Sequence, residues 1–346
     1  MNDPRALLRD LAVPRLTGTA GHAATRERLT RELGARGLQV EVLPFEATAG
    51  PARRMAFVAE LAALGALVFM LEAVVGEPER GVRLVLIFLA VLAIAVRFGG
   101  RAAPRTLGAN LLARPRSGQA RVWLTAHYDS KSQQVSMAVR LVGLACFAAQ
   151  LPAAAAMAGW WAAGGRPEWL AVLALPTLVG GIVLSRADLR NDSPGAVDNA
   201  TGVLAVLATL DRLPAAGDIG VCFTDAEEWG LQGARALVRE RPELFRDAAV
   251  VNFDGLDDRG RTLLFAHRLG PFVARLAEVA GVRPHRWLPA LVDGVAFGRV
   301  ARECVTVMRG DWRTARRVHT PRDEAARLQL DGVRQAAAAV ADALAA

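Results

Sequence analysis

The chain has 346 residues, 53% of them hydrophobic, and a net charge of +8 carried almost wholly by arginine, since Lys131 is the only lysine. Many arginines flank apolar blocks and no nucleic-acid motif is present, so the basic balance points to anionic lipid headgroups and away from nucleic acid. Cys146, Cys222 and Cys304 are isolated in apolar surroundings, which excludes a disulfide framework and a Cys-x-x-Cys zinc site.

The first residues lead into no apolar core, so no cleaved secretion signal is expected. Residues 23–36 read as a charged helix with Leu29 and Leu33 on one face, stopped by Gly37. Residues 38–45 alternate in part as a strand does. Together they predict a helix and an edge strand of an α/β domain.

An apolar pair follows. Residues 55–75 are interrupted only by Glu60 and Glu72, and a link carries Glu77, Pro78, Glu79 and Arg80. Residues 84–96 are apolar again, but a membrane span wants about 20 residues, so they suffice only if 81–98 all count. Glu60 would cost about 3 kcal/mol at mid-membrane and is expected to face another helix or lie near the interface. Residues 110–114 and 122–126 read as strands around the turn 115–118, the second running into His127-Tyr128-Asp129-Ser130.

A second apolar pair begins there. Residues 141–163 hold no charge, with Pro152 as a candidate kink, and 169–185 form the fourth block. Trp160, Trp161 and Trp169 cluster at the link, as an interfacial belt would. The competing reading is four buried helices of a soluble core. As hairpins, both pairs enter and leave on one membrane face, which carries Arg53, Arg54, Arg97, Arg101, Arg105, Arg140, Arg186 and Arg190. The positive-inside rule then predicts a multi-pass inner-membrane protein with its soluble parts in the cytoplasm.

After Arg190 strands and helices alternate, which argues for an α/β domain. Residues 191–198 are a polar turn and 201–213 an apolar helix. The run 219–223 reads as a buried strand ending in Glu227 and Glu228 and a glycine turn. A helix over 231–239, a strand over 249–253 ending in Asp254 and a helix over 271–279 follow. A short strand at 305–308, an irregular arm to His319 and an alanine-rich helix over 325–344 close the chain.

The chemistry collects after the strands: His127 and Asp129, Glu227 and Glu228, Asp254, and His319, with Asp198 in the turn opening a helix. An isolated Glu-Glu pair is more often a solvated acidic turn. Imidazoles and carboxylates together suit zinc and its divalent neighbours. Two imidazoles and three carboxylates exceed one tetrahedral ion and suit two ions sharing a carboxylate. Asp129 is placed to accept a hydrogen bond from the His127 ring and fix its tautomer.

His127-Tyr128-Asp129-Ser130, Pro194-Gly195-Ala196-Val197-Asp198-Asn199-Ala200-Thr201-Gly202, Glu227-Glu228-Trp229-Gly230-Leu231-Gln232-Gly233, Asn252-Phe253-Asp254 and His319-Thr320-Pro321-Arg322-Asp323 occur in this order. The set resembles the M28 zinc peptidases, bacterial leucyl-aminopeptidase-like, across the soluble parts of the chain. The resemblance implies that His127 and Asp254 hold one zinc, Glu228 and His319 the other, and that Asp198 bridges them. It implies Glu227 as general base and Asp129 as the residue orienting His127. The implied fold is a three-layer α/β/α sandwich on a mixed sheet, with four inserted transmembrane helices in two hairpins. The peptidase domain would comprise 1–50, 102–136 and 187–346, and the hairpins 51–101 and 137–186.

The implied reaction removes N-terminal residues from peptides with two Zn2+ or other divalent ions, and the lipid bilayer is the other expected partner. The chain departs from the family in its two hairpins, which put the approach of substrate in doubt. Tyr128 is its only tyrosine, so an oxyanion role held by a tyrosine elsewhere has no obvious heir. His22, His267 and His285 read as surface or packing residues, Asp257 and Asp258 as a solvated turn, and Asp323 as a helix N-cap. Asp293 and Phe297 fall where related peptidases carry an acidic-to-aromatic pocket loop. The alternatives are a carboxypeptidase-like or glutaminyl cyclase-like enzyme on the same scaffold, or a non-catalytic membrane scaffold. The cyclase, a one-zinc variant, is disfavoured because every ligand position is filled.

Overall fold

The computed structural model describes residues 3–75, 105–114, 119–149, 170–186, 188–213, 218–287 and 290–346, with scattered positions between 80 and 93 and between 152 and 165. The chain forms two units. One comprises Met1–Ala47, Arg105–Ser132 and Arg190–Ala346, and the other Thr48–Pro104 and Gln133–Leu189.

Asp3 caps α1 (Pro4–Leu11) by accepting hydrogen bonds from the Arg5 and Ala6 amides, and Leu7, Leu8 and Leu11 turn inward. α2 (Ala20–Ala35) starts at the Thr19 cap and buries Leu29 and Leu33. β1 (Gln39–Thr48) leads into α3 (Gly50–Val75) of the second unit, and β2 (Arg105–Arg114) and β3 (Val122–His127) return to the first. α4 (Met137–Ala148) and α5 (Leu170–Ser185) belong to the second unit. The remainder builds the first: α6 (Thr201–Leu210), β4 (Ile219–Thr224), α7 (Gln232–Glu240), β5 (Ala249–Leu256), β6 (Arg261–Arg268), α8 (Pro271–Val279), β7 (Glu303–Gly310) and α9 (Asp331–Ala345).

The sheet has seven strands in the order β1-β2-β4-β3-β5-β7-β6. β4, β3, β5 and β7 run parallel, while β2 on β4 and β6 on β7 are antiparallel. The carboxyl ends of the four parallel strands therefore share one edge, where open α/β sheets gather their ligands. β1 is the expected edge strand. β2 and β3 are not neighbours, because β4 lies between them, and the turn expected at 115–118 lies outside the described residues. β6 was not legible: its run Thr262-Leu263-Leu264-Phe265 lacks the alternation of a strand with one wet face.

α7 packs on the face that carries Leu112, Trp123, Cys222, Val250 and Cys304, with Phe245 and Phe297 completing that core. The alternate residues Leu111, Leu124, Val221 and Val251 turn to the other face. There α6, almost wholly buried, lies against β3 and β5 and is backed by α9. This gives helix, sheet and helix layers.

α9 begins later than expected, after a single 3-10 turn at Ala325–Arg327. The Asp258 carboxylate accepts the Gln329, Leu330 and Gly332 amides and so fixes its start. Asp257 is buried, accepts from Thr314 Oγ1 at 2.7 Å and pairs with Arg327 at 2.8 Å. The expected solvated turn is therefore two anchors, each holding a segment distant in sequence.

In the second unit α5 packs on both α3 and α4. Small residues allow the close approach: a Cβ on Gly181 would lie 2.5 Å from the Ala59 carbonyl oxygen. α3 turns Ala59, Ala63, Ala66 and Phe69 inward and leaves Leu64, Leu67 and Leu71 exposed, with Glu60 also exposed. Of the four expected membrane helices, one is long and apolar enough among the described residues: Arg53–Glu72, 20 residues at mean hydropathy 1.9. Among the described residues α4 and α5 run for 12 and 16 residues, fewer than the roughly 20 a span wants. Most of 84–96, about half of 150–163, and Trp161 and Trp169 lie outside the described residues.

Candidate metal centre

β3 delivers His127 as its last residue, and the loop beyond it is fixed from both sides. The Tyr128 hydroxyl donates to the Ala109 carbonyl at 2.6 Å and to Asp225 Oδ2 at 3.2 Å, and its ring stacks on His22. Tyr128 is thus buried structure, closed to an oxyanion role. Asp129 Oδ1 lies 3.4 Å from His127 Nδ1, while its two oxygens accept the Glu227 and Glu228 amides at 3.2 Å each. One carboxylate therefore orients both the imidazole and the Glu-Glu loop.

That loop follows β4. Ala226 and Leu231 have left-handed φ values of 50° and 60°. The Asn110 side chain accepts the Asp225 amide and donates to the Gly233 carbonyl, and a Cβ at Gly233 would collide with Asp225 and Asn110. The buried Asp225 carboxylate accepts from the Ala109 and Ala226 amides and from Thr17, and lies 2.8 Å from His22 Nε2. His22 is accordingly a packing residue. So is His267, whose Nε2 lies 2.8 Å from Thr306 Oγ1.

Asp198 sits in the turn before α6, in a peptide bond to Asn199 that is cis. Asp323 was expected to cap a helix. Its carboxylate instead accepts the Val197 and Asp198 amides at 2.9 and 3.1 Å, and it is fully buried. The chain folds Asp323 back because the 3-10 turn and α9 begin beyond it. Asn199 ties the turn to β5 through the Phe253 carbonyl and the Gly255 amide. β5 loses register with β7 between Phe253 and Leu256, beside Asp254. Arg15, buried, donates to the Tyr128, Pro194 and Gly195 carbonyls and so laces the His127 loop to the Asp198 loop.

These loops bring all seven sequence-selected residues together. His127, Asp198 and Asp254 form one group of potential ligands, and Asp198, Glu228 and His319 a second, with atoms inside each group within 4.8 Å of one another. Asp198 Oδ1 lies 3.1 Å from His127 Nε2, and its Oδ2 lies 3.0 Å from His319 Nε2. His319 Nε2 is 3.3 Å from Glu228 Oε1, and His127 Nε2 is 4.0 Å from Asp254 Oδ1. A tetrahedral ion with bonds of about 2.1 Å sets its ligand atoms about 3.4 Å apart, so each group fits one ion and Asp198 offers one oxygen to each. Glu227 belongs to neither group, and its Oε2 lies 4.0 Å from His127 Nε2.

Burial and mutual charge set the protonation of these groups without ions. Burial lifts the Glu227 carboxyl well above its usual range, and the charges of Glu228 and Asp254 add to the lift. Burial, with Asp198 and Asp293 adding, lifts Asp254 to about 7. For Glu228 the burial penalty is outweighed by Lys131, which holds it at about 2. For Asp198 burial is likewise outweighed, here by hydrogen bonds from His127 and His319 that hold it well below the usual range. Crowded carboxylates of this kind are relieved by divalent cations.

Asp293 reaches the site region: it accepts from Thr224 Oγ1, and burial raises it to about 6. Phe297 packs 5.0 Å from Phe245 and is fully buried in the core, so its ring does not line the expected pocket loop. Lys131 escaped the sequence reading although it is the single lysine and directly follows the His-Tyr-Asp-Ser motif. Arg15 and Asp225 carried no signal, one being among many arginines and the other an ordinary strand-end acid.

No curated protein matches the chain. Its structure resembles the aminopeptidase from Aneurinibacillus sp. strain AM-1 (13% identity, 99% of this chain and 92% of that one, TM-score 0.56). It also resembles a zinc aminopeptidase from Bacillus subtilis (13%, 99% and 94%, 0.55) and the Porphyromonas gingivalis glutaminyl cyclase (14%, 99% and 97%, 0.59). Residues 179–344, which include Asp198, Glu227, Glu228, Asp254 and His319, match the model of peptidase family M28.

Proposed function

We propose that the chain is a membrane-anchored, dinuclear zinc aminopeptidase. The observation that carries the reading is the pair of ligand groups joined through the two oxygens of Asp198, with Glu227 left over beside them. Two divalent ions held there would lower the pKa of a water and offset charge developing on the scissile carbonyl. Glu227 is the group free to take the proton of the attacking water and return it to the leaving amine. Asp129 holds both the His127 ring and the Glu227 backbone, so base and ligand keep a fixed relation. Asp323 and Arg15 hold the Asp198 turn in register with them.

The test is hydrolysis by detergent-purified, zinc-loaded protein of matched peptides with free and acetylated N-termini, with Glu227→Gln alongside. Stepwise release from free N-termini only, lost in the variant, is expected. Full activity of the variant would remove Glu227 as base. The glutaminyl cyclase neighbours support a second reading on the same scaffold, in which an N-terminal glutamine cyclises with loss of ammonia. Product analysis on a glutamine-first peptide separates the two.

The anchor is proposed to be the second unit, on the strength of Arg53–Glu72 and the apolar side chains that α3 exposes. The arginines flanking the apolar blocks support an inner-membrane position with the catalytic unit in the cytoplasm. A C-terminal reporter active only outside the cytoplasm should stay silent.

A further inference from the structure

Lys131 is buried, and its Nζ lies 2.6 Å from Glu228 Oε2. Glu228 Oε1 lies 3.3 Å from His319 Nε2. The carboxylate is therefore divided, one oxygen serving the group shared with Asp198 and His319 and the other serving an ammonium. The first group has no such cation: among the described residues, the acidic groups within 4.0 Å of His127 Nε2 are the carboxyl groups of Asp198, Glu227 and Asp254. We propose, resting on the two-ion reading above, that Lys131 is a built-in competitor for Glu228 that weakens the ion position formed by Asp198, Glu228 and His319. A dication there shares its ligand with a fixed positive charge, and repulsion between like charges is strong in a buried site. Lys131 acts through Glu228 and is a positioning residue.

The test is a zinc titration by calorimetry of the full chain in detergent, comparing wild type with Lys131→Gln and Lys131→Arg. His319→Ala and His127→Ala assign each binding step to its group. Lys131→Gln keeps a hydrogen-bond donor for Glu228 without the charge, and the step that His319→Ala abolishes should tighten about tenfold or more. Lys131→Arg keeps the charge and should leave that step within about threefold of wild type. An unchanged or weakened step in Lys131→Gln, or equal tightening in Lys131→Arg, overturns the proposal.

Because Lys131 is the only lysine, lysine labelled at Nζ and Cε gives a single side-chain resonance in wild type, which needs no variant of Lys131. That resonance should shift at the His319-dependent step and hold still at the His127-dependent one. No shift at the His319-dependent step also overturns the proposal. Absence of any zinc binding by wild type is a different failure, since it removes the two-ion reading itself.

Discussion

Gly195 offers a sharp test of how the Asp198 turn is held. Its φ and ψ are 59° and 46°, the left-handed region, where a Cβ costs about 1–2 kcal/mol. A Cβ there would also lie 2.6 Å from Ser130 Cβ and 3.1 Å from Arg15 Nη1, and would press on the Asp198 carbonyl oxygen. Ordinary contact begins near 3.4 Å, so the Asp198 turn and the His127 loop must part by about 1 Å. Ser130 and Arg15 cannot yield separately, because each donates its amide to the other, at 3.2 and 3.3 Å. A displacement of about 1 Å at a reacting centre costs about 100-fold in rate. Gly195→Ala should therefore lose about that much in kcat on a free-amine peptide and should bind zinc more weakly. Gly37→Ala is the control: its φ is +76° and its Cβ would meet nothing within 4 Å, so it carries the strain without the displacement and should keep wild-type kcat. Gly195→Ala within threefold of wild type in kcat and zinc affinity would refute the reasoning.

Phe245→Ala empties a fully buried site packed 5.4 Å from Trp123 and 5.0 Å from Phe297 and should cost about 3–5 kcal/mol, read in guanidinium unfolding by tryptophan fluorescence. A loss under about 1 kcal/mol would contradict the packing described. Asp257 is lifted by burial but lowered more by its hydrogen bonds from Arg327 and Thr314, so its pKa falls below the unfolded value. Its stabilisation is thus present above about pH 4 and lost as pH falls through the folded value. Asp257→Asn should destabilise by about 3 kcal/mol at pH 7 and converge on wild type in acid, whereas a gap in melting temperature that persists undiminished to pH 3 would count against this. Zinc at about 1,000 times its Kd should stabilise the fold by about 4 kcal/mol, removable by a chelator and visible as a rise in melting temperature, and an unmoved melt would argue against ion binding.

The parallel strands and their order along the chain were legible because short, fully apolar runs ending in polar turns have few other uses. The run at 219–223 ending in Glu227 and Glu228, and that at 249–253 ending in Asp254, are examples. Residues 38–45 announced an edge strand by partial alternation. β6 gave no such pattern, and the separation of β2 from β3 by β4 follows from a pairing between residues such as Leu111 and Phe223 that no local signal encodes. The apolar blocks were legible as composition only, because apolarity fixes neither the length of a continuous helix nor its neighbours.

The residues of the two candidate ligand groups could be picked out of the sequence alone, because imidazoles and carboxylates directly after strands are unusual enough to stand out. Their convergence into two groups on Asp198 belongs to the tertiary structure. So do the residues that hold them. Arg15 reaches Tyr128 and Gly195 across 113 and 180 residues of chain, and Asp323 exchanges a helix cap for the amides of Val197 and Asp198. Lys131 finds Glu228 only once β3 and β4 lie side by side. A side chain's type and local spacing are written in the sequence, whereas the partner that satisfies a buried charge is chosen by whichever distant backbone the packed core brings within reach.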